Sequence, residues 1–134
     1  ETKNRAGGFG HVGLPESVYM LADAFRWEIE RVENEIIPVI GENGVVAGIQ
    51  QTAVGYFGGE KKIELFFRAS EAEKNPWDCI EIIGDPSFVS RIDGGINGDT
   101  ASAAIVLNCA AALARSSAGL HTMADFPVPY WNIQ

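Results

Sequence analysis

The stretch from residue 94 to 119, GGINGDTASAAIVLNCAAALARSSAG, constrains the fold more than any other part of the chain. Glycines lead into Asp99 and Thr100, which can cap the first turn of a helix, and residues 101–115 are nearly all small or apolar. With about 3.6 residues per turn, the bulkier side chains fall on one face and the smaller ones on another. We therefore predict a buried helix that packs on a sheet and stops at Gly119. The bulky face comprises Ala103, Val106, Leu107, Ala110, Leu113 and Ala114.

Size and charge narrow the class of protein. A chain of 134 residues that is 46% hydrophobic can bury one core but not two, so we expect a single domain at 11–134 after a linker or frayed start at 1–10. The net charge of −8 argues against nucleic acid and anionic membranes as partners, because both attract basic surfaces. No apolar run reaches the roughly 18 residues of a membrane helix, and no signal-peptide pattern is present, so we expect a cytoplasmic protein. Because the first residue is Glu1 and not Met, we expect the chain to have been processed or cut from a longer one.

The other elements follow from periodicity and turn residues. Pro15 at a first helical position, followed by apolar residues at three- and four-residue spacing, predicts an amphipathic helix over 15–25. Gly58 and Gly59 suit the tight turn of a hairpin between two alternating strands. Pro38 confines its strand to a sheet edge or a strand end. The predicted strands are 32–40, 45–57, 61–69, 78–83 and 88–92.

Strands before, between and after two helices indicate an α+β fold. We predict a four- to five-stranded, mostly antiparallel sheet with both helices on one face. The other face is too apolar for plain water and too polar for a core, as subunit interfaces often are, so we expect a homo-oligomer formed through this open sheet face. Neighbouring glutamines point to opposite faces of a strand, so only one of the two belongs to it. Its residues are Gln50 or Gln51, Thr52, Tyr56, Glu64, Phe66 and Arg68.

Two histidines have ordinary pKa values near neutrality, and both lie at element boundaries. His11 precedes the first helix and His121 follows the second. Each is either a functional group or a helix-adjacent side chain that bonds to backbone. The two cysteines, Cys79 and Cys109, have no metal or redox spacing, so we expect both in the core and predict no metal site.

Polar residues at the two helix starts are equally ambiguous. Glu16 and Ser17 in the first turn of one helix either cap it or contact a ligand. Asp99 and Thr100 at the other helix either cap it or join its free N–H groups in holding an anion. The residues alone leave both pairs open.

Three stretches resemble the C-terminal half of the dihydrodipicolinate reductase-like dehydrogenases, in particular the branch that includes 2,4-diaminopentanoate dehydrogenase. They are HVGLPESVYMLA at 11–22, the hairpin VVAGIQQTAVGYFGGEKKIELFFRAS at 45–70, and GGINGDTASAAIVLNCAAAL at 94–113 followed by AGLHTMADFPVP. The most specific pieces are the GDTA start of the second helix and its GLHTMADFP exit.

The resemblance implies a domain that holds a small substrate and makes subunit contacts. In that family a Rossmann domain, absent from this chain, precedes it and would bind NAD or NADP. True dihydrodipicolinate reductases carry a His-His and Lys segment and a Ser-Gly-Thr-Ala loop before the first helix. The corresponding loop here is GLPES at 13–17, with no His-His pair and no matching Lys, so their substrate is not carried over. A carboxylate at Glu16 suits an amine-bearing substrate better.

We expect the site where segment 11–17 approaches segment 94–100, because both lead into helix N-termini with free N–H groups. His11 is the candidate for proton transfer, since an ordinary histidine pKa of about 6.5 lets it gain or lose a proton near neutrality. Glu16 would hold an ammonium group. His121 lies beyond the far end of the second helix and is treated as structural. The predicted site residues are His11, Glu16, Ser17, Asp99 and Thr100.

Two functions stay open. In the first, the chain supplies substrate contacts to an NAD(P)-dependent oxidoreductase that acts on a small amino acid or amine, and is inactive as an isolated domain. In the second, it is a stand-alone ligand-binding or assembly module without redox activity. Function resides in sites and not in folds, so a GxGxxG-containing segment upstream in the gene would favour the first.

Overall fold

The computed structural model describes residues 13–71 and 73–126. The predicted start at 1–10 and His11 lie outside the described residues. Two compact units divide the chain, Glu1–Glu73 and Lys74–Gln134, and each is described by itself.

The first unit opens with helix α1, Leu14–Phe25, which confirms the amphipathic helix predicted over 15–25. Pro15 stands in its first turn, where the missing N–H costs nothing. Leu14, Val18 and Ala22 share one face and are buried. The helix ends because Arg26 takes a left-handed conformation, φ 59°, which lets the N–H of Trp27 donate to the carbonyl of Ala22 at 2.9 Å.

Three antiparallel strands follow in the order in which they occur along the chain: β1 Arg31–Ile40, β2 Val46–Phe57 and β3 Glu60–Ser70. The predicted hairpin is confirmed, with Gly58 and Gly59 at φ 61° and 73° in its turn. The Glu30 carboxylate accepts hydrogen bonds from both glycine N–H groups, at 2.9 and 3.2 Å. The Pro38 strand β1 is an edge strand, as predicted.

Helix α1 covers one face of this sheet, called the inner face here, and the opposite face is the outer face. The core of the unit comprises the three buried α1 residues together with Ala53 on β2 and Ile63 on β3. Gly55 admits the helix closely, since a Cβ added there would lie 2.6 Å from Val18 Cγ1. This close approach is the reason that a glycine interrupts a strand at this point.

The second unit contains a two-stranded antiparallel sheet, β4 Trp77–Ile82 and β5 Phe88–Asp93, followed by helix α2 Gly98–Leu113 and a short 3₁₀ helix, Met123–Asp125. The α+β class, the antiparallel pairing and the number of strands are as predicted. The strands form two sheets and not one, because β3 and β4 are not paired among the described strands. Alternation identifies strands but does not specify which of them pair.

Helix α2 differs from the prediction at both ends. Its N-cap is Asn97, whose Oδ1 accepts a hydrogen bond from the N–H of Thr100 at 2.9 Å, so neither Asp99 nor Thr100 caps it. The helix ends at Leu113, well before Gly119. Asn97 lies one residue before the helix, which is the position that an amide side chain needs to reach the first-turn N–H groups.

The prediction that α2 is buried is wrong for the described chain. No residue of the helix is buried, and Val106 and Leu113 on the bulky face are 66% and 54% exposed. Within the second unit, the segment after α2 contacts the helix, and Met123 Sδ lies 3.6 Å from Cys109 Sγ. Cys109 is half-buried and Cys79 is exposed, so neither cysteine lies in a core. An apolar helix fits a buried position, but its composition does not say what covers it.

Candidate functional site

Two of the predicted site residues lie in the first turn of α1. Glu16 is exposed and Ser17 is half-buried. Ser17 Oγ donates to the carbonyl of Gly13 at 3.0 Å, so its hydroxyl bonds back to the chain and does not cap an N–H group. Gly13, at the N-cap position, supplies no side-chain bond either. The first turn of α1 is therefore left without a side-chain cap, which is the condition that anion binding at a helix start requires.

The other two described site residues, Asp99 and Thr100, are exposed in the first turn of α2. The loop before them is held by Asp78 on β4, whose Oδ2 accepts a hydrogen bond from the N–H of Ile96 at 2.6 Å. With Asn97 capping the helix, the Asp99 carboxylate and the Thr100 hydroxyl are not needed for the cap. Since these residues and the α1 residues belong to different units, the single cleft stays a prediction.

His121 lies in the second unit, beyond the C-terminal end of α2. Its Nε2 is 2.8 Å from the carbonyl oxygen of Ser117, and its ring lies 5.5 Å from that of Phe126. The Asp125 carboxylate next to it accepts hydrogen bonds from the N–H and the hydroxyl of Thr122, at 2.6 and 3.0 Å. These bonds hold the pKa of Asp125 below its usual range. The exit segment is thus held together by its own polar contacts.

The sequence left open which of two neighbouring glutamines faces the helix side of the sheet, and the structure answers this. Gln50 is half-buried, and the next residue, Gln51, is 1% exposed on the inner face. Gln51 Nε2 donates to Asn34 Oδ1 at 2.8 Å, whereas its Oε1 has no hydrogen-bond partner in the described part of the chain. A buried acceptor without a donor lowers the stability of the fold by about 1–3 kcal/mol. Gln51 is therefore a stronger candidate for a functional role than its sequence context indicated.

The start of α1 shares a core with Ala53, two residues from Gln51 on β2. The C-terminal end of the helix is fixed at the other end of β2, where the ring of Trp27 stacks on that of Phe57 at 6.4 Å. Val18 lies against Gly55, two residues back along β2. The four residues from Val18 to Leu14 rise about 6 Å, and Ala53, which packs in the same core as Leu14, lies two strand residues or about 6.6 Å from Gly55.

Neither a metal centre nor a membrane span emerges from the part of the chain that the structure describes. No group of three or more His, Cys, Asp or Glu side chains in these residues is arranged to hold a metal ion. No helix among them is long and apolar enough to cross a bilayer.

Known proteins match this chain over nearly its whole length. The profile of a family described as 2,4-diaminopentanoate dehydrogenase C-terminal domain matches residues 4–133. A curated protein named 2,4-diaminopentanoate dehydrogenase, from Acetoanaerobium sticklandii, is 29% identical over 136 residues. That alignment covers 90% of this chain and 38% of the relative, so the chain spans less than two-fifths of the relative's length.

Proposed function

Because the chain belongs to the 2,4-diaminopentanoate dehydrogenase C-terminal domain family, we propose that it is the substrate-binding and subunit-contact domain of a cytoplasmic, NAD(P)-dependent oxidoreductase acting on a small amino acid or amine. The match over residues 4–133 is the observation that carries the proposal. Since the chain spans 38% of its relative, the nucleotide-binding part would be supplied by a further domain of the enzyme.

The proposed chemistry uses the residues at the two helix starts. A nicotinamide cofactor, when bound, would supply the hydride acceptor for the carbon that bears the amino group. In this chain, His11 would take the proton that the amino group loses, and Glu16 would hold an ammonium group. The uncapped N–H groups of α1 would hold a substrate carboxylate beside Ser17. Asp99 and Thr100, in the second unit, would be further substrate contacts.

Kinetics of the full-length enzyme test this assignment. On a diamino acid, His11→Ala is expected to lower kcat at least about a hundredfold, as loss of a general base does. Glu16→Gln is expected to raise KM about tenfold or more, because it removes a charge partner of the ammonium group. The matched control is His121→Ala, which changes the other histidine and is expected to leave kcat near that of the wild type. A loss of turnover confined to His121→Ala would show that the proposal places the site at the wrong end of the domain.

The proposed subunit contact is the outer face of the three-stranded sheet. Phe66 is 55% exposed there, and the flanking Glu64 and Arg68 give the face both signs of charge. A second copy of the same face can offer a carboxylate to each cation and a ring to each ring. This is the composition that interfaces between like subunits commonly have.

A further inference from the structure

The amide of Gln51 is a polar side chain in apolar surroundings. Alternate residues of the three strands lie on the inner face, from 32 to 38, from 49 to 55 and from 63 to 69. Of these alternate residues, only Asn34 and Gln51 are polar, and none is charged. The Cα partners of Gln51 across the sheet are Ile36 on β1 and Phe67 on β3. An aliphatic side chain would fill this position without any hydrogen-bonding need, so packing does not account for a glutamine here.

The Gln51 amide is paired with one neighbouring amide. Its NH₂ group donates to Asn34 Oδ1 at 2.8 Å, so it cannot turn over by itself without placing its own oxygen against that oxygen. Asn34 therefore directs the Oε1 atom of Gln51 away from β1, where it has no hydrogen-bond partner in the described part of the chain. The chemistry required at this point is that of a hydrogen-bond donor, and a carboxylate or a phosphate would be repelled.

Two observations place this acceptor within reach of a ligand. Ala53, two residues along β2 from Gln51, packs in the same core as Leu14 at the uncapped start of α1. On the neighbouring strand, Ile36 is 42% exposed and Asn34 is exposed, so only side chains separate the amide from solvent.

We propose that Gln51 is a substrate-binding residue whose Oε1 accepts a hydrogen bond from an amino group of the substrate, with Asn34 as its positioning residue. The inference rests on the proposed function and deepens it. A diamino acid carries two amino groups, and Glu16 accounts for one of them. The neutral oxygen of Gln51 suits the other, because an amide accepts from an ammonium or an amine without placing a buried charge in the apolar inner face.

The test compares two neighbouring glutamines in the full-length enzyme. Gln51→Met removes the acceptor and keeps the length of the side chain, and Gln50→Met makes the same change at the next residue, which points to the outer face. Isothermal titration calorimetry would measure the Kd of 2,4-diaminopentanoate and of its single-amine analogues, 2-aminopentanoate and 4-aminopentanoate. Thermal unfolding would check that each variant is folded.

Gln51→Met is expected to weaken the binding of the diamino acid by about ten- to a hundredfold, the range for a hydrogen bond to a charged group. The wild type and Gln51→Met are expected to bind one single-amine analogue equally. This is the analogue that lacks the amino group contacted by Gln51. Asn34→Ala, which frees the amide to turn, should weaken binding less than Gln51→Met does.

Three outcomes would overturn the inference. In the first, the Kd of the diamino acid changes less than twofold in folded Gln51→Met. In the second, Gln50→Met weakens binding as much as Gln51→Met. In the third, both single-amine analogues lose affinity equally. A wild-type enzyme that binds and oxidises no amine would instead overturn the proposed function, and this inference with it, so the two failures are distinguishable.

Discussion

Because Gly55 has no Cβ, helix α1 can pack closely against the sheet at this position. Gly55→Ala would place a Cβ 2.6 Å from Val18 Cγ1 and 3.4 Å from Ile29 Cδ1. We expect this overpacking to lower the free energy of unfolding by about 1–3 kcal/mol in denaturant titrations. Val18→Ala should relieve part of the clash, so the double variant should be less destabilised than the sum of the two single variants.

Gly48 and Gly84 provide the comparisons for this prediction. A Cβ at Gly48 would overlap the backbone of Ala69 and Ser70, which no trimmed side chain can relieve, so Gly48→Ala should be at least as costly as Gly55→Ala. At Gly84 nothing lies within 4 Å, and Gly84→Ala should change stability by less than about 1 kcal/mol. If alanine at all three positions lowered the free energy of unfolding equally, crowding by Val18 would not be the reason that position 55 requires a glycine.

On the outer face, Tyr56 and Arg31 both act on the carboxylate of Glu33. The Tyr56 hydroxyl donates to Oε2 at 2.9 Å, and Arg31 Nε donates to Oε1 at 3.1 Å with its guanidinium over the tyrosine ring. These bonds, that of Tyr56 first, lower the pKa of Glu33 below its usual range. A carboxylate whose pKa falls on folding stabilises the protein above its unfolded pKa, and this contribution is lost as the pH falls through the folded pKa.

Tyr56→Phe should therefore raise the pKa of Glu33 toward its ordinary value while the ring remains beneath Arg31. A titration of the Glu33 side-chain carboxyl carbon by NMR measures this shift. Tyr19→Phe, at an exposed position on α1, is the control and should leave the Glu33 pKa unchanged. An unchanged Glu33 titration in Tyr56→Phe would mean that the tyrosine hydrogen bond has no influence on the carboxylate.

Among the elements, α2 depends on a cap that the sequence pattern did not single out. Asn97→Ala removes the acceptor for the N–H of Thr100 and should destabilise the start of the helix by about 1 kcal/mol. Hydrogen exchange at the Thr100 amide should then be about fivefold faster or more. Thr100→Ala, which leaves the Asn97 cap in place, should not speed exchange at residue 100 in this way. Faster exchange in Thr100→Ala alone would assign the cap to the threonine.

Local pattern predicted α1 and the hairpin of β2 and β3 almost to the residue, because each is specified by neighbours in sequence. The ends of α2 were less predictable, since Asn97, Asp99 and Thr100 are all good capping residues and only the backbone decides among them. The division into two sheets and the burial of Gln51 depend on contacts between distant strands. Alternation places Gln50 and Gln51 on opposite faces but does not say which face a helix will cover.

At the scale of the molecule, the second unit exposes many large apolar side chains. On β4 and β5, Ile80, Ile82, Phe88 and Ile92 line one face of a two-stranded sheet and are 38% to 64% exposed. Such a sheet is marginal by itself in water. These exposed side chains provide a second candidate surface for association between copies of the chain.

The last prediction separates the two surfaces. If copies associate through the outer face, light scattering at high concentration should give a mass above the 14.4 kDa of one chain, and Phe66→Glu should weaken association at least about tenfold. Phe88→Glu is the matched control, because it changes a phenylalanine of similar exposure, 50% against 55%, on the sheet of the other unit. Association that survives Phe66→Glu and is lost in Phe88→Glu would move the interface to the β4–β5 sheet, since a buried charge at either ring disrupts only the contact that contains it.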